Sequence, residues 1–318
     1  MHDHAFVIIL SSHRQRSLCR YVFVDIGIDL AHFINSLRDN FESTLHLALV
    51  STIQFVTSLQ AAKTALEKIG FKITIPQVAP LSPGEVLGCT SPKIQNADAL
   101  IYLGDGRFHL ESVMIANPLL PAYRYNPYDK SLTHEQYDHT VMRSRRKAAV
   151  DAAREANFFG LILGSLGRQG SPVVLQRLQN RLTELGKRFV VVVLSEILPN
   201  KLAMFEDQVD VWIQVACPRL SIDWGTEFPK PLLTPFEAAI ALDMTEQQIE
   251  HNTVYPMDYY ALGSIGPWTP NHPEKSERII NVYQCKCDMN AFSYSFLSPS
   301  IGTVIHLKWS LNLYNELW

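Results

Sequence analysis

The most constraining feature of this sequence is a regular alternation of short β-branched runs with longer amphipathic runs, from Tyr21 to about Asp243. Such alternation is typical of βαβ units, in which helices connect parallel strands. Strands are predicted at Tyr21–Ile28, Leu45–Ser51, Lys72–Ile75, Ala99–Leu103, Gly160–Gly164, Arg188–Leu194 and Val209–Val215. Helices are predicted at Asp29–Asn40, Phe55–Ile69, Thr133–Asn157 and Pro172–Leu185. The sequence therefore predicts an α/β fold with mostly parallel sheets.

One order of elements recurs in the two halves of this region. Leu47–Phe71 and Leu161–Gly186 each contain a strand, a helix and a glycine stop, and a cysteine turn follows each copy. A repeat of this length indicates two related domains, each a sheet flanked by helices. We place their boundary near the start of the proline-rich segment Pro118–Pro127. The expected domains are residues 21–120 and 121–250, between a segment at 1–20 and an irregular tail at 251–318.

Composition and charge exclude several classes of partner. The 318 residues are 47% hydrophobic and 19% charged, and their longest apolar runs, such as Phe189–Leu194, are too short to cross a bilayer. The net charge of −3 gives no basic field for nucleic acid. Residues 1–10 do not read as an export signal, so we expect a cytoplasmic protein. Because its five cysteines are odd in number and widely spread, we expect reduced thiols.

Two cysteines stand in short turns and could carry chemistry. Cys89 lies in Leu87–Pro92, and Cys217 directly follows the strand predicted at Val209–Val215. Ligand sites of open α/β sheets lie just beyond the carboxyl ends of strands, and thiolates are the usual ligands of iron–sulfur clusters. The two positions are too far apart in the sequence to form a metal motif by spacing, so a buried structural thiol remains the alternative for each.

Four motifs in order carry a resemblance to a known family. They are Leu87–Pro92, Tyr102–His109, Leu163–Gly170 and Ala216–Gly225. This series resembles the first-subunit family of diphthamide synthases, and the likeness runs from about Tyr21 to Trp268. The resemblance implies a three-domain architecture in which each domain supplies one cysteine to a single 4Fe–4S cluster. By that resemblance, Cys89 is the ligand of the middle domain and Cys217 that of the last domain.

The ends of the chain do not resemble that family. Residues 1–20 and those after about 278 do not match, so we expect the family's first domain, and its ligand, to be missing. Cys19 precedes a predicted strand and would lie at the wrong edge of the sheet, so it is a poor replacement. Cys285 and Cys287 are no better as candidates.

The resemblance also implies a reaction and partners. Members of the family move a 3-amino-3-carboxypropyl group from S-adenosylmethionine to a histidine of translation elongation factor 2, by a radical route that depends on the cluster. The partners implied are a related second subunit, a small electron-donor protein and elongation factor 2, with neither nucleic acid nor membrane. Two alternatives stay open: a shortened non-catalytic form that binds the second subunit, and an α/β protein that binds a metabolite in an interdomain cleft.

Polar groups beside these turns could hold the methionine and ribose parts of such a substrate. Arg168 and Gln169 lie in a glycine-flanked turn and could bind a carboxylate, although a solvated arginine is equally open. Asp105 lies between two glycines, where a plain turn is the alternative. Glu196 could bind an ammonium or hydroxyl group, or could form a salt bridge. We expect His109 to be structural rather than a catalytic base.

Two other patterns are expected to carry no chemistry. Arg143, Arg146 and Lys147 share one face of a predicted helix, which favours a solvated surface over a docking patch. His134 and His139 are not spaced to share a helical face, which argues against a zinc pair.

Overall fold

The computed structural model describes residues 26–250 and 253–272, which form two compact units. The first unit extends to His139 and includes Val254–Leu262, and the second extends from Thr140 to Thr253 and continues from Gly263. Each unit contains a mostly or fully parallel sheet with helices, so the predicted α/β fold class is confirmed. Within the described residues, no helix is long and apolar enough to span a bilayer.

The first unit is built on a sheet with the strand order β2-β1-β3-β4-β5. These strands are β1 (His46–Ser51), β2 (Lys72–Thr74), β3 (Ala99–Leu103), β4 (Ala122–Asn126) and β5 (Ser131–Glu135). Its helices are α1 (Leu30–Asn40), α2 (Val56–Lys68) and α3 (Phe108–Ala116). All neighbouring strands are parallel except β4 and β5, which form an antiparallel hairpin. The parallel strands therefore match the predicted βαβ units. The β4–β5 hairpin is an additional feature that was not predicted.

The central strands of this sheet are buried on both faces, which explains their continuous apolar sequences. Along β3, Ile101 and Leu103 pack into one core cluster, whereas Leu100 and Tyr102 pack into the other. The alternation follows from the twofold repeat of a strand, which points successive side chains to opposite faces.

The second unit repeats the first part of this topology. Its sheet has the order β7-β6-β8-β9, and all of its described neighbours are parallel. The strands are β6 (Phe158–Gly164), β7 (Arg188–Leu194), β8 (Val211–Val215) and β9 (Leu232–Leu233). The helices are α4 (His139–Arg154), α5 (Pro172–Glu184), α6 (Pro199–Ala203), α7 (Pro218–Trp224) and α8 (Pro235–Ala241). In both units, the second strand along the chain lies on one side of the first and the third strand lies on the other.

The glycine stops of the repeat have the backbone conformation that the sequence predicts. Gly70 follows α2 with φ of +96°, and Gly186 follows α5 with φ of +64°. These left-handed conformations are strained for residues with a Cβ atom, so glycine can end each helix at little cost. The helix that starts after Asp29 is also confirmed, since the Asp29 carboxylate accepts a hydrogen bond from the His32 amide at 3.0 Å.

The region between the units differs from the sequence prediction. A single helix was expected from Thr133, but β5 ends at Glu135 and α4 begins at His139. The Asn126–Ser131 turn reverses the chain and pairs β5 with β4, and the Arg124 side chain contacts the Glu135 carboxylate at 3.1 Å. Because this hairpin completes the first sheet, the first unit ends at His139 rather than near residue 120.

The other differences concern the first predicted strand and a helix that was not predicted. Of the strand expected at Tyr21–Ile28, residues 21–25 lie outside the described part of the chain, and residues 26–28 are not a strand. Helix α3 was not expected, because most of its residues are buried and it lacks the polar stripe of an amphipathic helix.

Two of the three residues expected on a solvated face of α4 are buried, whereas Lys147 is exposed as expected. Arg143 is 7% exposed and Arg146 is 2% exposed. The Arg146 guanidinium donates to both carboxylate oxygens of Glu237 at 2.7 and 2.6 Å, and to the carbonyl oxygens of Ser221 and Leu232. Glu237 is fully buried at the start of α8. The charge of Arg146 favoured a surface position in the sequence analysis. Its bidentate ion pair with Glu237 on α8 allows the side chain to be buried.

We expect that Arg146→Met lowers the free energy of unfolding of the second unit by about 3–5 kcal/mol, because Glu237 would stay buried without its cation. The matched control is Arg154→Met on the same helix, since Arg154 forms an exposed pair with Asp151 and should change stability by less than about 1 kcal/mol. Urea unfolding followed by tryptophan fluorescence measures both variants. Equal stabilities for the two would contradict the structural role of the buried pair.

Candidate functional site

The Cys89 turn lies beyond the carboxyl end of β1. The Ser51 amide donates to the Gly84 carbonyl at 2.8 Å, and the Val86 amide donates back to the Ser51 carbonyl at 3.0 Å. The chain then closes a tight turn in which the Leu87 amide donates to the Thr90 carbonyl at 2.9 Å. Cys89 is half-buried and its sulfur is a thiol. The sheet therefore presents this sulfur at its carboxyl edge, where open α/β sheets bind ligands.

Gly88 allows the Cys89 turn to pack against the start of α3. A Cβ atom at Gly88 would overlap the aromatic ring of Phe108, which is the first residue of that helix. The loop from Gly104 to Arg107 leads into the same helix from the end of β3. The cysteine turn and the glycine loop are thus neighbours at one edge of the first sheet.

Asp105 lies in that loop as an exposed residue between Gly104 and Gly106. Gly106 has φ of +64°, and a Cβ atom at Gly104 would stand 2.6 Å from the Tyr102 hydroxyl oxygen. Burial, and then the charge of Asp105, raise the pKa of Tyr102, so its hydroxyl stays protonated and donates to the Asp105 carbonyl at 3.4 Å. This hydrogen bond links the loop to β3, and the Asp105 side chain is exposed.

Cys217 occupies the equivalent edge of the second sheet. It follows the end of β8 and is the N-cap residue of α7. Burial raises the pKa of the Cys217 thiol, and backbone amides of Arg219 and Leu220 that face the sulfur act in the opposite direction. Donors of this kind favour a thiolate, as a metal ligand requires.

Gln214 was overlooked in the sequence, although it holds the Cys217 backbone. Its side-chain amide nitrogen donates to the Cys217 carbonyl at 2.9 Å and to the Ser221 hydroxyl at 3.0 Å. It is fully buried within β8. A polar residue inside an otherwise apolar strand was the available signal, because buried amides are retained where they have hydrogen-bond partners.

The remaining candidates of the second unit lie at the same edge as Cys217. Arg168 is exposed and Gln169 is half-buried in the turn after β6, and Glu196 is exposed after β7. The Ser165 amide donates to the Leu194 carbonyl at 2.9 Å, which ties the two loops together. Glu196 also forms an exposed ion pair with Lys201 at 3.5 Å. The structure thus brings these side chains to one edge, and their ligand-binding roles stay predictions.

The three histidines considered in the sequence contact aromatic rings. His109 contacts the Phe108 ring edge-on at 5.4 Å, and His134 stacks against Tyr123 at 4.8 Å. His139 contacts Tyr137 at the start of α4. Within the described ranges, no group of three or more histidine, cysteine, aspartate or glutamate side chains could hold a metal ion. Cys19, Cys285 and Cys287 lie outside those ranges.

A family model gives the decisive comparison. The model for the diphthamide synthesis protein family matches residues 8–254, well over half of the chain. The chain belongs to this family.

Curated relatives agree with that membership. The human 2-(3-amino-3-carboxypropyl)histidine synthase subunit 1 is 57% identical over 273 residues, covering 85% of this chain and 61% of the relative. The Schizosaccharomyces pombe protein of the same name is 59% identical over 262 residues, covering 80% of this chain and 59% of the relative. The chain therefore spans about three fifths of the length of the curated relatives it matches.

Solved structures support the fold of this diphthamide family member. A crystal structure of Dph2 from Pyrococcus horikoshii has a TM-score of 0.57 at 24% identity, covering 74% of this chain and 70% of that one. A second structure of that protein contains a 4Fe–4S cluster and is similar at a TM-score of 0.57 and 23% identity, with the same coverage.

We expect that Gly88→Ala speeds hydrogen exchange of the amides that close the Cys89 turn by about tenfold or more, because overpacking a close contact costs about 1–3 kcal/mol. The double variant Gly88→Ala with Phe108→Ala should exchange more slowly than the single variant, since it restores space for the methyl group. Gly27→Ala is the control, because no atom lies within 4 Å of the added Cβ. Equal exchange in both glycine variants would contradict the packing argument.

Proposed function

We propose that this chain is one subunit of a 2-(3-amino-3-carboxypropyl)histidine synthase and takes part in the first step of diphthamide biosynthesis. The substrates would be S-adenosylmethionine and a histidine of translation elongation factor 2, and the product a 3-amino-3-carboxypropyl histidine. Family membership and the names of the curated relatives support this proposal. The proposed partners are a related second subunit and a small electron-donor protein, and the proposed location is the cytoplasm.

The observation that carries the proposal is the position of the two sulfur atoms. Cys89 and Cys217 are half-buried thiols, each in a turn at the carboxyl edge of the sheet of its own unit. The surroundings fit thiolate ligands, because backbone amides face the Cys217 sulfur and the Thr90 hydroxyl lies 3.7 Å from the Cys89 sulfur. We propose that both cysteines bind a 4Fe–4S cluster. When bound, such a cluster supplies the electron that breaks a carbon–sulfur bond of S-adenosylmethionine.

The polar side chains at these edges would hold the rest of the substrate. The Arg168 guanidinium is exposed in a glycine-flanked turn, where it can reach the carboxylate of a ligand. Gln169 adds amide donors beside it, whereas Asp105 and Glu196 offer carboxylates to an ammonium or to ribose hydroxyl groups. The Glu196 pair with Lys201 is exposed and weak, so a ligand can replace Lys201 at little cost.

Cysteine substitution tests the ligand assignment. After anaerobic reconstitution of the full chain with iron and sulfide, Cys89→Ser and Cys217→Ser should each bind clearly less iron than the unchanged protein, because each removes a thiolate. Cys285→Ser is the matched control, since we predict that this thiol is not a ligand. Iron and sulfide analysis with the visible absorption of the cluster measures the effect. Unchanged iron content in both variants would contradict the assignment of Cys89 and Cys217 as cluster ligands.

The same preparation distinguishes an enzyme subunit from a non-catalytic one. A brown protein that cleaves S-adenosylmethionine after reduction is expected if the chain contributes to catalysis. A colourless protein that still binds the second subunit would instead indicate a form that keeps only the partner-binding surface.

We expect that Arg168→Ala weakens the binding of S-adenosylmethionine about 10- to 100-fold, because hydrogen bonds to charged groups contribute about 1.5–3 kcal/mol. Arg38→Ala is the control, since Arg38 is an exposed residue paired with Asp39 on α1. Calorimetric titration of the anaerobically reconstituted protein measures both affinities. If the two variants bind equally well, Arg168 does not contact the substrate.

A further inference from the structure

A segment that follows the second unit in the sequence belongs to the first unit. This returning segment, Val254–Leu262, was expected to be part of an irregular tail. Its odd-numbered side chains are 3–6% exposed, namely those of Tyr255, Met257, Tyr259 and Ala261. Pro256 is buried as well, so most of the segment from Tyr255 to Ala261 packs into a core. The returning segment is therefore an integral part of the first unit.

The backbone of the returning segment pairs with the Cys89 turn. The Ser91 amide donates to the Met257 carbonyl at 2.8 Å, and the Tyr259 amide donates to the Cys89 carbonyl at 3.2 Å. Thr90 and Asp258 stand opposite each other in this antiparallel pairing. The two hydrogen bonds lie on either side of Thr90, at the Cys89 carbonyl and the Ser91 amide, so they restrict the backbone that directly follows the cysteine.

Thr90 connects this pairing to the sulfur. Its hydroxyl oxygen accepts a hydrogen bond from the Tyr260 amide at 3.0 Å and lies 3.7 Å from the Cys89 sulfur. Thr90 is fully buried, so no water competes for the hydroxyl group. Because a thiolate can only accept a hydrogen bond, the Thr90 hydroxyl is the donor whenever Cys89 is deprotonated.

We propose that Thr90, held by the returning segment, is a positioning residue for Cys89. The proposal rests on the proposed function, since it takes Cys89 to be a thiolate ligand. The returning segment orients the hydroxyl group, and the hydroxyl group orients and stabilises the sulfur. Hydrogen bonds to ligand sulfurs also set the reduction potential of an iron–sulfur cluster.

Hydrogen exchange of the metal-free full chain tests the link between Thr90 and the returning segment. In Thr90→Val, which keeps the shape but removes the acceptor, peptides covering residues 254–262 should exchange about tenfold faster. Thr90→Ser keeps the hydroxyl and should restore the exchange rate of the unchanged chain. Thr64→Val is the control, because the exposed Thr64 hydroxyl donates to the Gln60 carbonyl within helix α2. Exchange in Thr90→Val that equals the control would overturn the proposal.

The reduction potential of the reconstituted protein tests the link to the sulfur. Loss of a donor to a ligand sulfur disfavours the reduced cluster, so Thr90→Val should have a more negative potential, and Thr90→Ser should return it towards the original value. An unchanged reduction potential in Thr90→Val would contradict the proposed hydrogen bond from the Thr90 hydroxyl to the Cys89 sulfur. It would not contradict the role of Cys89 as a ligand. If the unchanged chain and Cys89→Ser bind equal iron, the proposed ligand fails instead, and hydrogen exchange then tests only the link between Thr90 and the returning segment.

Discussion

Both units depend on central strands whose two faces are covered by apolar side chains. In the first unit, Leu47–Val50 is fully buried, and in the second, Gly160 leaves room for the Trp212 ring across the neighbouring strand. A sheet packed in this way has no space for polar ligand groups along its strands. Chemistry is therefore confined to the loops at the strand ends, and the carboxyl ends of parallel strands bring loops from different parts of the sequence to one edge.

Elements defined by local pattern could be predicted from the sequence. Strands β3 and β7 have the bounds that were expected, and α5 differs from its expected range by a single residue at its end. These elements are specified by apolar periodicity and by glycine stops, which are properties of neighbouring residues. The hairpin of β4 and β5 was missed, because Pro118–Pro127 indicated a boundary and gave no sign of the strand that pairs with β4.

The long-range contacts of the core and of the candidate site were harder to predict, because they join residues that are far apart in the sequence. Arg146 and Glu237 are 91 residues apart, so a helical charge pattern gave no indication that the arginine is buried. The two cysteine turns were found from their motifs. The sequence did not show that Gln214 supports the Cys217 backbone, since its role follows from the path of the chain after β8.

The conformation of the Cys89 turn depends on residues outside the short motif that contains it. Leu87–Pro92 carries the resemblance to the family, yet the Tyr260 amide that fixes the Thr90 hydroxyl lies 170 residues further along the chain. Backbone groups of the returning segment make these contacts. Because most residue types have the same backbone groups, no pattern of side chains in the sequence identifies the contacts. The direction of the Cys89 sulfur is thus set jointly by the local motif and by a distant stretch of backbone. A substitution that shifts the returning segment acts on the proposed ligand through Thr90 even when Leu87–Pro92 is unchanged.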